Sequence, residues 1–183
     1  GFGKGKIIRL VVASVGLRAQ GKFLPVSLRQ RTPGIFFEKI SRGKIIEDQG
    51  IPAVSPDYGE YEYKAILEKL SSYGFFVISE QRVKNTDSME YAKRVSEQVA
   101  VLLNYGVPAK NITIVGASKG AGITIFVSHL LENGEINYVI MAICDPATVE
   151  GLKQNEISLH GNVLSIYDSK DDLAGSCREL FSF

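Results

Sequence analysis

The stretch NITIVGASKGAGITIFVSHLLE, Asn111 to Glu132, decides the fold. It opens with a short apolar, β-branched run, Ile112 to Val115, and turns through Gly116-Ala117-Ser118-Lys119-Gly120. It continues with Ile123, Phe126, Val127, Leu130 and Leu131 at helical spacing. A strand therefore feeds a tight turn that feeds a helix, with a serine at the apex. Gly116 and Gly120, two residues to either side of Ser118, leave room for the strand and helix backbones to come close, and Gly122 is expected to let the helix sit closer still. Such a turn strains the backbone of its apical serine and pushes the Oγ into the open.

Outward from this stretch, the chain has 183 residues, enough for one domain with a real core. It is 45% hydrophobic and 22% charged, with a net charge of +1, an ordinary globular composition that speaks against a disordered or nucleic-acid-binding chain. No apolar run is long enough to span a membrane. The two histidines, His129 and His160, and the two cysteines, Cys144 and Cys177, have no metal-ligand spacing, so no metal is expected. Each cysteine lies past the carboxyl end of a predicted strand, which brings them into one neighbourhood. Sequence alone determines neither their distance nor the redox compartment, so free thiols are the expectation.

Residues 1–34 differ in composition from the rest. They carry Lys4, Lys6, Arg9, Arg18, Lys22, Arg29 and Arg31 and no acid. They read as a poorly packed basic N-terminal arm or a first edge strand over Ile7 to Val12, or as the remnant of a secretory signal over Leu10 to Leu17 with Ala19 near the cut. Localisation stays open between cytoplasmic and exported. Residues 35–183 read as a second region, one α/β domain. Its predicted strands are Ile35 to Ile40, Phe75 to Ser79, Ile112 to Val115, Asn137 to Cys144 and Asn162 to Tyr167. Lys44 to Glu47 extends a loop or begins a turn, and Ile51 to Gly59 is a loop broken by Pro52 and Pro56. Amphipathic helices are predicted over Tyr61 to Tyr73, stopped by Gly74, and from a capping-box start at Asp87 and Glu90 to Tyr105. Pro146 to Lys153 is a short helix or a turn. Strands apolar on both faces that alternate with helices predict a mostly parallel sheet with helices on both faces. The chain begins at Gly1 and stops at Phe183 without a closing element, so it reads as a fragment truncated at the C-terminus.

The turn itself is open to two chemistries. Gly116, Ser118 and Gly120 match the G-x-S-x-G nucleophile elbow. Gly116, Gly120 and Gly122 also look like the glycine turn of short-chain dehydrogenases, which cradles a dinucleotide pyrophosphate. Asp145 lies where that family places a ribose-binding acid, although a strand-end residue before Pro146 is the plainer reading. Against the dehydrogenase, strand–helix units precede Gly116, Tyr138 is followed at the Tyr-x-x-x-Lys spacing by Ala142, and Tyr167 is followed too early by Lys170.

From Ile35 to Phe183 the chain resembles the α/β-hydrolases in element order and in two segments. One is the elbow, in mid-chain. The other is Leu164 to Leu173, similar to that family's acid loop two strands later. The resemblance implies Ser118 as nucleophile and Asp171 as triad acid, with Asp168 and Asp172 as fallbacks; a solvated acidic loop is the alternative. It implies an oxyanion hole from the N–H of Lys119 and a second N–H near Gly43 or Lys44, where Arg42-Gly43 stands in place of the family's frequent His-Gly pair. The catalytic histidine would lie beyond Phe183, because His160 precedes the acid strand and His129 lies in the helix after the elbow. The Lys119 side chain places a cation near the serine, the plainer reading being a solvated first-turn lysine. The implied activity is serine hydrolysis of an ester, thioester or amide in a small-molecule acyl substrate, with no cofactor. The fragment itself is expected to have little activity. An NAD(P)-dependent oxidoreductase and a catalytically inactive hydrolase-fold binding protein remain as alternatives, and the oligomeric state is left open.

Overall fold

The structure, a computed structural model, describes residues 10–13, 45–56, 59–168 and 174–181. Five parallel strands form the main sheet. They are β1 (Leu10–Ala13), β4 (Phe76–Ser79), β5 (Ile112–Ala117), β6 (Asn137–Met141) and β7 (Asn162–Ile166), in the spatial order β4-β1-β5-β6-β7. Two short strands, β2 (Val54–Ser55) and β3 (Gly59–Glu60), pair antiparallel apart from it. The chain winds one way from β1 to β4 and the other way from β5 through β7. The winding therefore reverses between β1 and β5, and in open α/β sheets such a reversal opens a crevice at the carboxyl ends of the strands. The turn at Ser118 follows β5, so it lies on the carboxyl edge of the sheet beside this reversal.

The predicted interior strand over Ile112 to Val115 is confirmed in the middle of the sheet, running two residues further to Ala117. The N-terminal strand differs from the edge strand expected over Ile7 to Val12. It spans Leu10–Ala13 and lies inside the sheet, with Leu10 opposite both Phe76 and Ile112. Basic flanks without acids suggested a peripheral arm, but four apolar residues suffice to fill a slot between two parallel partners. The strand expected over Ile35 to Ile40 lies outside the described residues.

Among the described residues five α-helices follow in chain order: α1 (Ile45–Gln49), α2 (Tyr63–Ser72), α3 (Ser88–Asn104), α4 (Lys119–Leu131) and α5 (Pro146–Gln154). Where Lys44 to Glu47 reads as loop or turn, α1 forms. Because side chains alternate across a strand, β5 serves two cores. Ile112 and Ile114 pack with Tyr91, Val95 and Val99 of α3 and Ile123 and Val127 of α4. Val115 and Ala117 pack on the other face with Leu70 of α2. α5 joins the α3–α4 face through Val149 and Leu152, against Ile125 and Ile140. Helices thus cover both faces of the parallel sheet.

The helix ends follow from side-chain chemistry. Asp87 caps α3 by accepting the Glu90 N–H at 2.8 Å. Glu90 does not complete a reciprocal box, since its carboxylate pairs with Lys93. Gly74, with φ of 84°, ends the turn after α2. β6 stops at Met141 rather than Cys144, because Ala142 turns to a φ of 51°.

Contrary to the expectation of free thiols, Cys144 and Cys177 form a disulfide, with Cα atoms 5.0 Å apart. Both are buried in the core beneath α5. The short helical turn Cys177–Phe181 folds back onto that core through Leu180, a packing that no local sequence signal announces. Among the described residues no helix is long and apolar enough to cross a membrane.

Candidate functional site

The approach of β5 and α4 is close enough to exclude a side chain. A Cβ built on Gly116 would lie 2.1 Å from the Gly120 carbonyl oxygen and 2.6 Å from Thr124 Oγ1. The expectation for Gly122 fails. A Cβ there would meet only Ile143 Cδ1, at 3.8 Å, which is ordinary contact. The helix turns its other side to the sheet at that position.

Ser118, at the apex, has φ 51° and ψ −123°. L-residues rarely adopt such a backbone, and holding one there costs about 1–3 kcal/mol. The three glycines of the turn are not the residues with positive φ; the serine is. Hydrogen bonds hold it on both sides. Its N–H donates to the Met141 carbonyl at 2.8 Å, and its carbonyl accepts from the N–H groups of Ala121 and Gly122. Its hydroxyl makes no hydrogen bond to a described residue. The Ser118 side chain does not cap α4, and the N–H groups of Lys119 and Gly120 have no acceptor earlier in the helix. A strained serine and two first-turn N–H groups therefore share the carboxyl edge of the sheet.

Asp168 follows β7 directly and is exposed. β5, β6 and β7 are parallel, so the carboxyl end of β7 opens on the same edge as Ser118. Two strand spacings, about 10 Å, separate those strand ends. Asp171, Asp172, Gly43 and Lys44 lie outside the described residues. Both histidines sit at the opposite edge. His160 precedes β7, and its backbone N–H donates to Ser128 Oγ. His129, in the last turn of α4, is half-buried rather than on an open surface and accepts from the Ser158 N–H at 3.4 Å. Neither reaches Ser118.

The plainer reading of Lys119 as a solvated lysine fails, since its side chain is partly buried and its ammonium is held. Its Nζ donates to Glu47 Oε2 at 2.9 Å and to the Thr86 carbonyl at 2.5 Å. The other oxygen of Glu47 accepts from Arg82 Nε. The Glu47 side chain is only 1% exposed, whereas that of Lys119 is 27% exposed. Sequence reasoning missed this cluster because positions 47, 82 and 119 belong to three separate segments that only the sheet brings together. The single local hint was a glutamate directly after Ile45-Ile46.

Asp145, the candidate ribose-binding acid, is otherwise engaged. It caps α5, accepting from the N–H and Oγ1 of Thr148. Partial burial works to raise its pKa, but the Thr148 hydroxyl and the N–H groups of Thr148, Asp145 and Ala147 outweigh it and hold the carboxyl below its ordinary value. Tyr138 is fully buried beneath α3 and α4, away from the carboxyl edge. Burial pushes its phenol well above the ordinary range, which is the wrong direction for a tyrosine that must exchange a proton. Tyr167 is exposed, and Lys170 lies outside the described residues. No protein-family model, curated protein or solved structure matches the chain.

Proposed function

We propose that Ser118 is the nucleophile of an α/β-hydrolase-type serine hydrolase that cleaves an ester, thioester or amide of a small acyl substrate. One observation carries this reading. The strained φ of 51° falls on the serine and not on its flanking glycines. A turn built to cradle a pyrophosphate has no need to strain a serine, whereas a nucleophile must be lifted clear of the strand and helix that carry it. The strand order alone does not separate the two chemistries, since doubly wound nucleotide-binding sheets share the winding reversal.

In the proposed reaction Ser118 Oγ attacks the acyl carbon. A histidine supplied beyond Phe183 takes its proton and later returns it to the leaving group. Asp171, which follows β7 in the sequence, orients that histidine and stabilises its charged form. The Lys119 N–H donates to the oxyanion, with a second donor from Gly43 or Lys44. Loss of one such donor typically costs about 100- to 1000-fold in rate. The roughly 10 Å between the carboxyl ends of β5 and β7 leaves room for an imidazole between serine and acid.

The test uses the full-length protein and a fluorophosphonate probe. Ser118 should label, Ser118→Ala should abolish labelling, and Asp171→Asn should lower the rate steeply. Titration with NAD(H) or NADP(H) should give no saturable binding. Absence of labelling in the full-length protein would leave a hydrolase-fold binding protein. Micromolar dinucleotide affinity, lost on bulky substitution at Gly120 or Gly122, would restore the oxidoreductase.

A further inference from the structure

We propose that Glu47 is a positioning residue which, by clamping the Lys119 ammonium, holds the first-turn N–H groups of α4 in place before substrate arrives. The inference rests on the hydrolase reading above for its catalytic meaning, but its structural content can be tested separately.

The clamp joins three segments that meet at the carboxyl edge. Glu47 belongs to α1, which follows β1 in the chain. Thr86 and Arg82 belong to the segment after β4, and Lys119 is the first residue of α4, after β5. These strands are adjacent, in the order β4-β1-β5, so the ammonium ties together the segments above the winding reversal. The contacts span 72 residues to Glu47 and 33 to Thr86. None arises from local chain geometry.

Strain gives the clamp its purpose. A backbone at φ 51° relaxes unless its surroundings over-determine it. On the strand side, the bond from the Ser118 N–H to Met141 holds it. On the helix side the next residue is Lys119, whose side chain ends on Glu47 and Thr86. Pinned at both ends, the turn cannot trade its strain for rotation of the first helical turn. The N–H of Lys119 therefore stays aimed where negative charge would develop, the condition under which such donors accelerate acyl transfer. A buried carboxylate is costly to desolvate and persists here with two cationic partners. A lysine needed only for solubility would extend into water.

The decisive variant is Lys119→Met, because it leaves the Arg82–Glu47 pair intact. In the ¹⁵N-labelled chain, the backbone order parameters of Lys119 and Gly120 should fall selectively, while those of α3 and β6 and the thermal midpoint stay near wild type. Glu47→Gln should loosen the same two amides, and the double variant should go no further. In the full-length protein Lys119→Met should lower kcat by roughly 10- to 100-fold with KM little changed. Unchanged order parameters at Lys119 and Gly120, or a uniform fall across the domain, overturns the clamp. If the wild type never labels at Ser118 but Lys119→Met still loosens those amides, the clamp stands and the hydrolase reading falls.

Discussion

A Cβ on Gly116 would stand 2.1 Å from the carbonyl oxygen of Gly120, a backbone atom that cannot swing aside. This contact sets how closely the central strand and the helix after Ser118 approach. Gly116→Ala should therefore force the two elements apart and destabilise the domain by about 3 kcal/mol or more, the upper end of overpacking costs. Gly122→Ala is the paired control. Its new methyl meets only ordinary contact, and replacing a helical glycine should raise stability by up to about 1 kcal/mol. Urea midpoints of the two variants should move in opposite directions.

Ser118→Gly separates strain from chemistry. Glycine tolerates φ 51° without a Cβ penalty. The variant should gain roughly 0.5–1 kcal/mol, after the greater entropy of glycine in the unfolded chain offsets part of the relief. It should also lose all fluorophosphonate labelling. A variant less stable than wild type would mean that the serine is not strained.

Asp145 links α5 to pH. Its carboxyl caps the helix through Thr148, and its pKa in the folded chain lies below the ordinary 3.8. The folded state therefore holds this proton less readily than the unfolded chain. The contribution is present above the unfolded value and is lost as pH falls through the lower, folded one. Asp145→Ala should cost about 1 kcal/mol at pH 7. The difference between wild type and variant should shrink as pH drops below about 4. A difference independent of pH would mean that the carboxylate is not the cap.

The Cys144–Cys177 bridge closes a loop with a sequence separation of 33. By the chain-entropy account, such a loop stabilises the fold by about 3–4 kcal/mol. Reduction, or Cys144→Ala with Cys177→Ala, should lower the unfolding midpoint accordingly. Denaturing alkylation of protein isolated without reductant should find no free thiol. A disulfide persists in oxidising compartments, so free thiols in freshly isolated protein would count against export.

Several features were legible in the sequence because their causes are local. Alternation of apolar strands with amphipathic helices reported a covered parallel sheet. Gly116, Ser118 and Gly120 marked a strand–turn–helix, since sterics at a tight turn act over a few residues. Asp87 announced the start of α3, and Gly74 closed the turn after α2.

What escaped the sequence depends on distant segments. The place of Leu10–Ala13 between β4 and β5 is a matter of which strands pair, and four apolar residues carry no address. The Glu47–Lys119 pair and the Cys144–Cys177 bridge join positions 72 and 33 residues apart. The elbow pattern already placed strain on Ser118, but only the tertiary structure supplies its form, φ 51° and ψ −123°, and the bond from its N–H to the Met141 carbonyl that holds it. Local sterics favour a tight turn in this sequence. The fixed separation of strand and helix, set by packing on both faces of the sheet, forces one residue of that turn into a conformation it would not choose alone.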